Sequence, residues 1–107
     1  MTGAVVRRWE ASMRRADIGA WLETYRARVL PHVKEVAGFR SVTFHAAREG
    51  DPCRVTVVTR WDDMGAVRRF AGDDPARTVL PDFMAPFFPD DGAEASFHDE
   101  VLLEEMA

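Results

Sequence analysis

Cysteine is all but missing from this chain: Cys53 is its single thiol in 107 residues. One thiol cannot close an internal disulfide, which predicts a reducing, cytoplasmic setting. No apolar run approaches the length of a membrane span, and no secretory leader precedes the first predicted strand. Basic residues form no block or stripe. The 14 Lys and Arg are scattered among 18 Asp and Glu, for a net charge of −4, so neither nucleic acid nor a membrane is an expected partner. The three histidines, His32, His45 and His98, show no metal-ligand spacing. No Gly-rich loop cradles a phosphate, and Cys53 has no His close in sequence to activate it. No cofactor and no metal are therefore expected, and residues 1–107 are predicted to form a single domain.

The most informative segment that is present runs from Val55 to Gly72. A β-branched strand ends at Trp61, the acidic pair Asp62-Asp63 opens a short amphipathic helix, and Gly72 stops it. The first half of the chain supplies the complement. Residues 4–11 alternate as a strand, with Val5, Arg7 and Trp9 on one side. Helical spacing of Ile18, Trp21, Leu22, Tyr25, Val29, His32, Val33 and Val36 predicts a helix from about Asp17, its N-cap, to Val36. Pro31 should bend it near residue 30, and Gly38 should end it. Residues 39–48 and 54–61 read as a hairpin around the Gly50-Asp51-Pro52 turn. A further helical piece is expected from Asp73-Asp74-Pro75 to about Met84. It overlaps an irregular loop over 81–92, where Pro81, Pro86 and Pro89 interrupt the chain. A last strand is expected from Ala95 to Leu103, and a frayed tail after it.

The order β-α-β-β-α-(α)-β predicts an α+β, ferredoxin-like antiparallel sheet with helices on one face. The other face, with Trp61, Val57, Val55 and Phe97 as its candidate residues, would then be too apolar to leave wet. A second copy packing sheet to sheet would cover it, so a homodimer enclosing a shared barrel is expected.

Taken in order, these pieces resemble the antibiotic-biosynthesis-monooxygenase-like family of dimeric α+β barrels. The matching residues are Arg7-x-Trp9, the helix with Trp21 and Tyr25, and Pro31 to Gly38 leading into strand two. Trp61 followed by Val67-x-x-Phe70-Ala71-Gly72-x-Asp74, and the late His98-x-Glu100-Val101, complete the match. The resemblance spans nearly the whole chain and rests on order and spacing. It implies a small-molecule site in the barrel. In the members that name the family, it also implies oxidation of aromatic polyketides by O₂ without metal or flavin. Other members degrade haem or have no known reaction, so the fold does not fix the chemistry. Two departures matter. The sequence contains no Asn, which the cofactor-free oxygenases use with Trp, Tyr and Arg. The helix from Asp62 to Gly72 carries no His, which the haem-degrading branch uses.

Alternation puts Ser41, Thr43 and His45 on one face of strand two. A turn centred near Gly50-Asp51 would set them opposite Trp61, Thr59 and Val57, a mixed face suited to a ligand cavity. His98 is the first candidate base, because an imidazole can take a proton from a phenol or enol in a dry pocket. The bland alternative is a strand histidine bonded to a neighbour. His45 would orient or deprotonate the ligand. Trp61, Thr43, Thr59, Tyr25 and Arg60 would bind a small aromatic or hydrophobic ligand, Trp61 by stacking and Arg60 by pairing with an anion. The expected function is a cofactor-independent monooxygenase or related acid–base enzyme acting on a small aromatic or enolisable compound. A non-catalytic ligand-binding or stress-associated barrel stands as the alternative, and a His-ligated haem binder as a third.

Overall fold

Strands β1 (Val5–Met13), β2 (Phe39–Ala46), β3 (Cys53–Trp61) and β4 (Glu94–Asp99) form one antiparallel sheet in the order β2-β3-β1-β4. This is the ferredoxin-like arrangement that the element order predicted. The coordinates are a computed structural model that describes residues 3–72, 83–88 and 94–105. The helical piece expected after Asp73 falls mostly outside those residues. Among the described ones, a short 3₁₀ turn spans Ala85–Phe87, and no helix is long and apolar enough to cross a membrane.

The first helix is built in two parts, α1 (Ile18–Thr24) and α2 (Leu30–Lys34), joined by a π-helical turn over Tyr25–Val29. Pro31 explains the joint. It has no N–H to continue an α-helical ladder, and Leu30 instead donates its N–H to the Tyr25 carbonyl five residues back. The extra residue also resets the face. In an uninterrupted α-helix, residues eight apart point ~80° away from each other. Here Trp21, Tyr25 and Val33 are all buried, while His32, expected in the packing, is exposed. Asp17 stands at the helix entrance, but its carboxylate accepts from Arg14 at 3.0 and 3.2 Å and caps no helix N–H.

The second helix, α3 (Met64–Ala71), starts as the acidic pair foretold. Asp63 is its N-cap and accepts the Ala66 N–H at 2.8 Å. Asp62 instead pairs with Arg40 at 2.7 Å. The last strand is shorter than expected. It ends at Asp99, and Val101, Leu102 and Leu103 are exposed beyond it.

The hairpin register departs from expectation, with large consequences. Phe39 pairs with Trp61, but Ser41 pairs with Arg60, leaving Arg40 as an extra residue. Beyond this bulge, Val42 faces Thr59, Phe44 faces Val57 and His45 faces Thr56. A one-residue difference exchanges the two faces of a strand. Val42 and Phe44, in place of Thr43 and His45, therefore share a face with Cys53, Val55, Val57, Thr59 and Trp61, and those five are all buried on the helix-covered side. The apolar residues expected on the bare face are core. The bare face is polar, carrying Thr43, His45, Arg54, Arg60, Arg8, Glu10, Ser96 and His98 around Val6 and Val58.

Candidate functional site

Between sheet and helices the interior divides into two apolar clusters. One gathers Trp9, Trp21, Tyr25, Val57, Met84 and Phe88. Phe88 meets Trp9 and Trp21 edge-on at 5.1 and 5.6 Å, and Phe44 meets Tyr25 at 4.8 Å. The other gathers Val33, Trp61, Ala66 and Val67, with Phe39, Phe70 and Phe97 against them. Trp61 stacks on Phe70 at 5.1 Å.

A polar seam runs where the clusters meet. On β1, Arg7 falls between Val5 of the second cluster and Trp9 of the first. On β3 its cross-strand partner is Thr59, between Val57 and Trp61. Strand alternation places these residues on the helix-covered side. Arg7 is only 7 % exposed and is the one charged side chain buried among the described residues. Its guanidinium lies over the Phe70 ring, 5.6 Å from the centroid. Tyr25, one helical turn after the buried Trp21 and the first residue of the π-helical turn, is 8 % exposed.

Hydrogen bonds fix the seam. Trp61 donates its indole Nε1–H to Thr59 Oγ1 at 2.8 Å, and the Thr59 hydroxyl donates to the Arg7 carbonyl at 3.4 Å. Trp61 has no solvent exposure, so Thr59 supplies the acceptor its buried N–H needs. Burial pushes the Tyr25 phenol up to about 12, while the Arg7 charge pulls it the other way. Burial lowers the pKa of Arg7, with Tyr25 opposing. At neutral pH the phenol is a donor that keeps its proton, and the guanidinium remains a cation.

Of the residues singled out from sequence, Trp61, Thr59 and Tyr25 are buried on this side, Trp61 bonded to Thr59. His98, His45, Thr43 and Arg60 stand on the helix-free face, across the sheet from them. There His98 shares a hydrogen bond with Ser96 at 3.0 Å. Arg60 holds Glu100 in a two-bond pair at 2.6 and 2.7 Å, which raises the Arg60 pKa. His98, His45 and Thr43 are exposed. The seven candidates thus do not line one cavity within one chain. Sequence reasoning passed over Arg7, although its signal was present: an Arg on the same strand face as Val5 and Trp9 is a charge where alternation calls for core.

Chemically, the seam offers a cation, a neutral phenol donor, a fixed hydroxyl and the Trp61–Phe70 aromatic stack. No imidazole and no carboxylate is buried among the described residues, and no group of three or more His, Cys, Asp or Glu among them is placed to hold a metal.

No family model matches the sequence, and no curated protein gives a significant match. Solved structures do match in fold, over nearly the full length. A monooxygenase of Streptomyces coelicolor in complex with nanaomycin D superposes with a TM-score of 0.71 at 23% identity, covering 98% of this chain and 93% of that one. SnoaB, a cofactor-independent oxygenase of Streptomyces nogalater, gives 0.67 at 16% identity, with 94% and 96% covered. A haem-degrading protein of Mycobacterium tuberculosis gives 0.62 at 21% identity, with 97% and 99% covered. The chain has the antibiotic-biosynthesis-monooxygenase-like fold.

Proposed function

We propose that this protein is a cofactor-independent monooxygenase, or a related acid–base enzyme, acting on a small aromatic or enolisable compound. The ligand lies on the helix-covered side of the sheet, along the seam between the two apolar clusters. The observation that carries this is a buried cation and a proton-retaining phenol set into an otherwise apolar interior. The fold supports it, since the Streptomyces coelicolor monooxygenase binds nanaomycin D and SnoaB needs no cofactor. Trp61 and Phe70 form a wall for a planar ring, Tyr25 donates to a ligand oxygen, and Thr59 holds the indole in place. The protein contributes orientation and exclusion of water. A ligand enolate gives an electron to O₂ and the radicals combine. The resulting hydroperoxide loses water, so a methylene becomes a ketone and one O₂ yields one water without an external reductant.

We also propose a homodimer through the helix-free face. Its support is the open sheet surface on which Thr56 is buried and Val6 and Val58 are half-buried despite having no helix above them. His98, His45, Thr43 and Arg60 belong to that surface.

Oxygen uptake by metal-free protein, measured over a panel of enolisable aromatic ketones, tests the reaction. The expected result is stoichiometric O₂ consumption above the buffer rate, lost in Trp61→Ala. Nanaomycin D binding with no uptake across the panel favours the second reading, a non-catalytic binder. The exposure of His32, His45 and His98, which leaves the seam without an imidazole, is the observation that favours it.

A further inference from the structure

We infer that Arg7 and Tyr25 together anchor an ionised oxygen of the ligand, so that the site selects planar compounds already anionic near neutral pH over their neutral counterparts. This rests on the helix-covered interior being the ligand site and adds what that site recognises.

The placement of Arg7 is the starting point. A guanidinium set between two apolar clusters loses most of its hydration, and an anion brought to it recovers part of that cost. One face of the guanidinium lies over Phe70. Its hydrogen-bonding edge lies in its own plane and presents five N–H donors, enough to hold a protein partner and a ligand oxygen at once. Tyr25 is buried in the cluster that Arg7 borders, on the same side of the sheet, and the two groups act on each other electrostatically. Because the phenol keeps its proton well above neutral pH, it leaves the Arg7 charge intact and adds a second donor.

The missing base points the same way. No carboxylate or imidazole among the described residues is buried on this side. A neutral ligand that had to lose its proton in the seam would find no buried acceptor among the described residues. A carboxylate, or an enol acidic enough to ionise in water, arrives without that need. Trp61 stacked on Phe70 beside Arg7 gives such an anion a flat apolar wall.

Two probes separate the possibilities: lawsone, a hydroxynaphthoquinone ionised at pH ~7, and menadione, a neutral naphthoquinone of similar size. Calorimetric titration of the intact protein should show lawsone binding at least about tenfold more tightly, the scale of one charge-assisted hydrogen bond in a dry site. Arg7→Met should bring lawsone down to the affinity that the same variant shows for menadione. Tyr25→Phe should reduce the preference without removing it. A buried Arg replaced by an apolar side chain of similar length commonly leaves folding intact, and far-UV circular dichroism checks this. Should Arg7→Met fail to fold, the wild-type ratio and Tyr25→Phe still decide. Equal affinities in the wild type, or a preference that survives Arg7→Met, would overturn the anchor while leaving the interior site standing. Failure of both probes to bind would overturn the anchor and the interior site together.

Discussion

Gly38 and Ala66 touch so closely that a Cβ on Gly38 would lie 2.5 Å from the Ala66 Cβ. This contact seats α3 against the chain entering β2, and Asp62 donates its backbone N–H to the Gly38 carbonyl at 2.8 Å beside it. Gly38 also has φ +93°, a conformation that L side chains rarely adopt.

Gly38→Ala should therefore cost about 2–4 kcal/mol, summing backbone strain and overpacking. Urea denaturation measures it. Ala66→Gly in the same chain should recover the steric part and leave the backbone part. A double variant no more stable than Gly38→Ala would show that the Cβ contact does not matter.

The neighbouring carboxylates should behave differently although both precede α3. Asp63→Ala removes the acceptor for the Ala66 N–H and should cost about 1 kcal/mol. Asp62→Ala breaks only a solvent-exposed pair with Arg40 and should cost roughly 0.5 kcal/mol or less. Thermal melts of the two variants rank them, and equal losses would contradict the capping role.

How far the sequence reached is clearest at β3. The strand read over 54–61 and the helix opened by the Asp62-Asp63 pair are local patterns, and both were legible. Which β2 residues join the buried face of β3 depends on the bulge at Arg40, where one extra residue shifts the pairing. Arg40 carries no Gly or other turn signal to announce it. Tyr25 and Val33 could be placed on one inward face, but His32 was placed there too, because the π-helical turn resets the phase by a residue. For the site, Trp61, Thr59 and Tyr25 were readable as aromatic or polar groups within apolar patterns. Arg7 carried the same kind of signal, a charge beside Val5 and Trp9, but which side of its strand is covered follows only from the pairing. The imidazoles drew attention by chemistry, yet their location follows from strand pairing.

Thr59→Val should be costly for a small change. It leaves the fully buried Trp61 N–H without its acceptor, an effect of about 1–3 kcal/mol. Trp61→Phe loses packing as well, but it removes the donor. In the double variant Thr59→Val should then cost less than it does alone. Additive losses in denaturant unfolding would show that the indole bond contributes nothing of its own.

Tyr25 is the only tyrosine in the chain, so phenolate absorbance reports on it alone. The native protein should show no phenolate as pH passes ~10 and should titrate near pH ~12, whereas the unfolded chain titrates near ~10. Since the folded value lies above the unfolded one, this group's contribution to stability is complete below pH ~10. It is lost as pH rises from there through ~12. Arg7→Met removes the charge that opposes the shift and should move the native titration higher still. A native titration coinciding with that of the unfolded chain would place the phenol in water.

Val58 lies at the middle of the helix-free face, between Thr43 on β2 and Arg8 on β1, with Arg60 two residues along the same strand. If two copies join through this face, each sheet presents its Arg8, Arg54 and Arg60 to the other, held in check by Glu10 and Glu100. Val58→Arg adds a cation with no counter-charge at the centre of that arrangement, and desolvating it should cost the association several kcal/mol. Light scattering should give the mass of two chains for the native protein and of one for Val58→Arg, with the same circular dichroism for both. Helices, interior clusters and seam all lie on the far side of the sheet, so the monomeric variant should keep its fold and its affinity for ligand. A native protein that scatters as a single chain at micromolar concentration would remove the dimer and leave the seam, which is built within one chain, untouched.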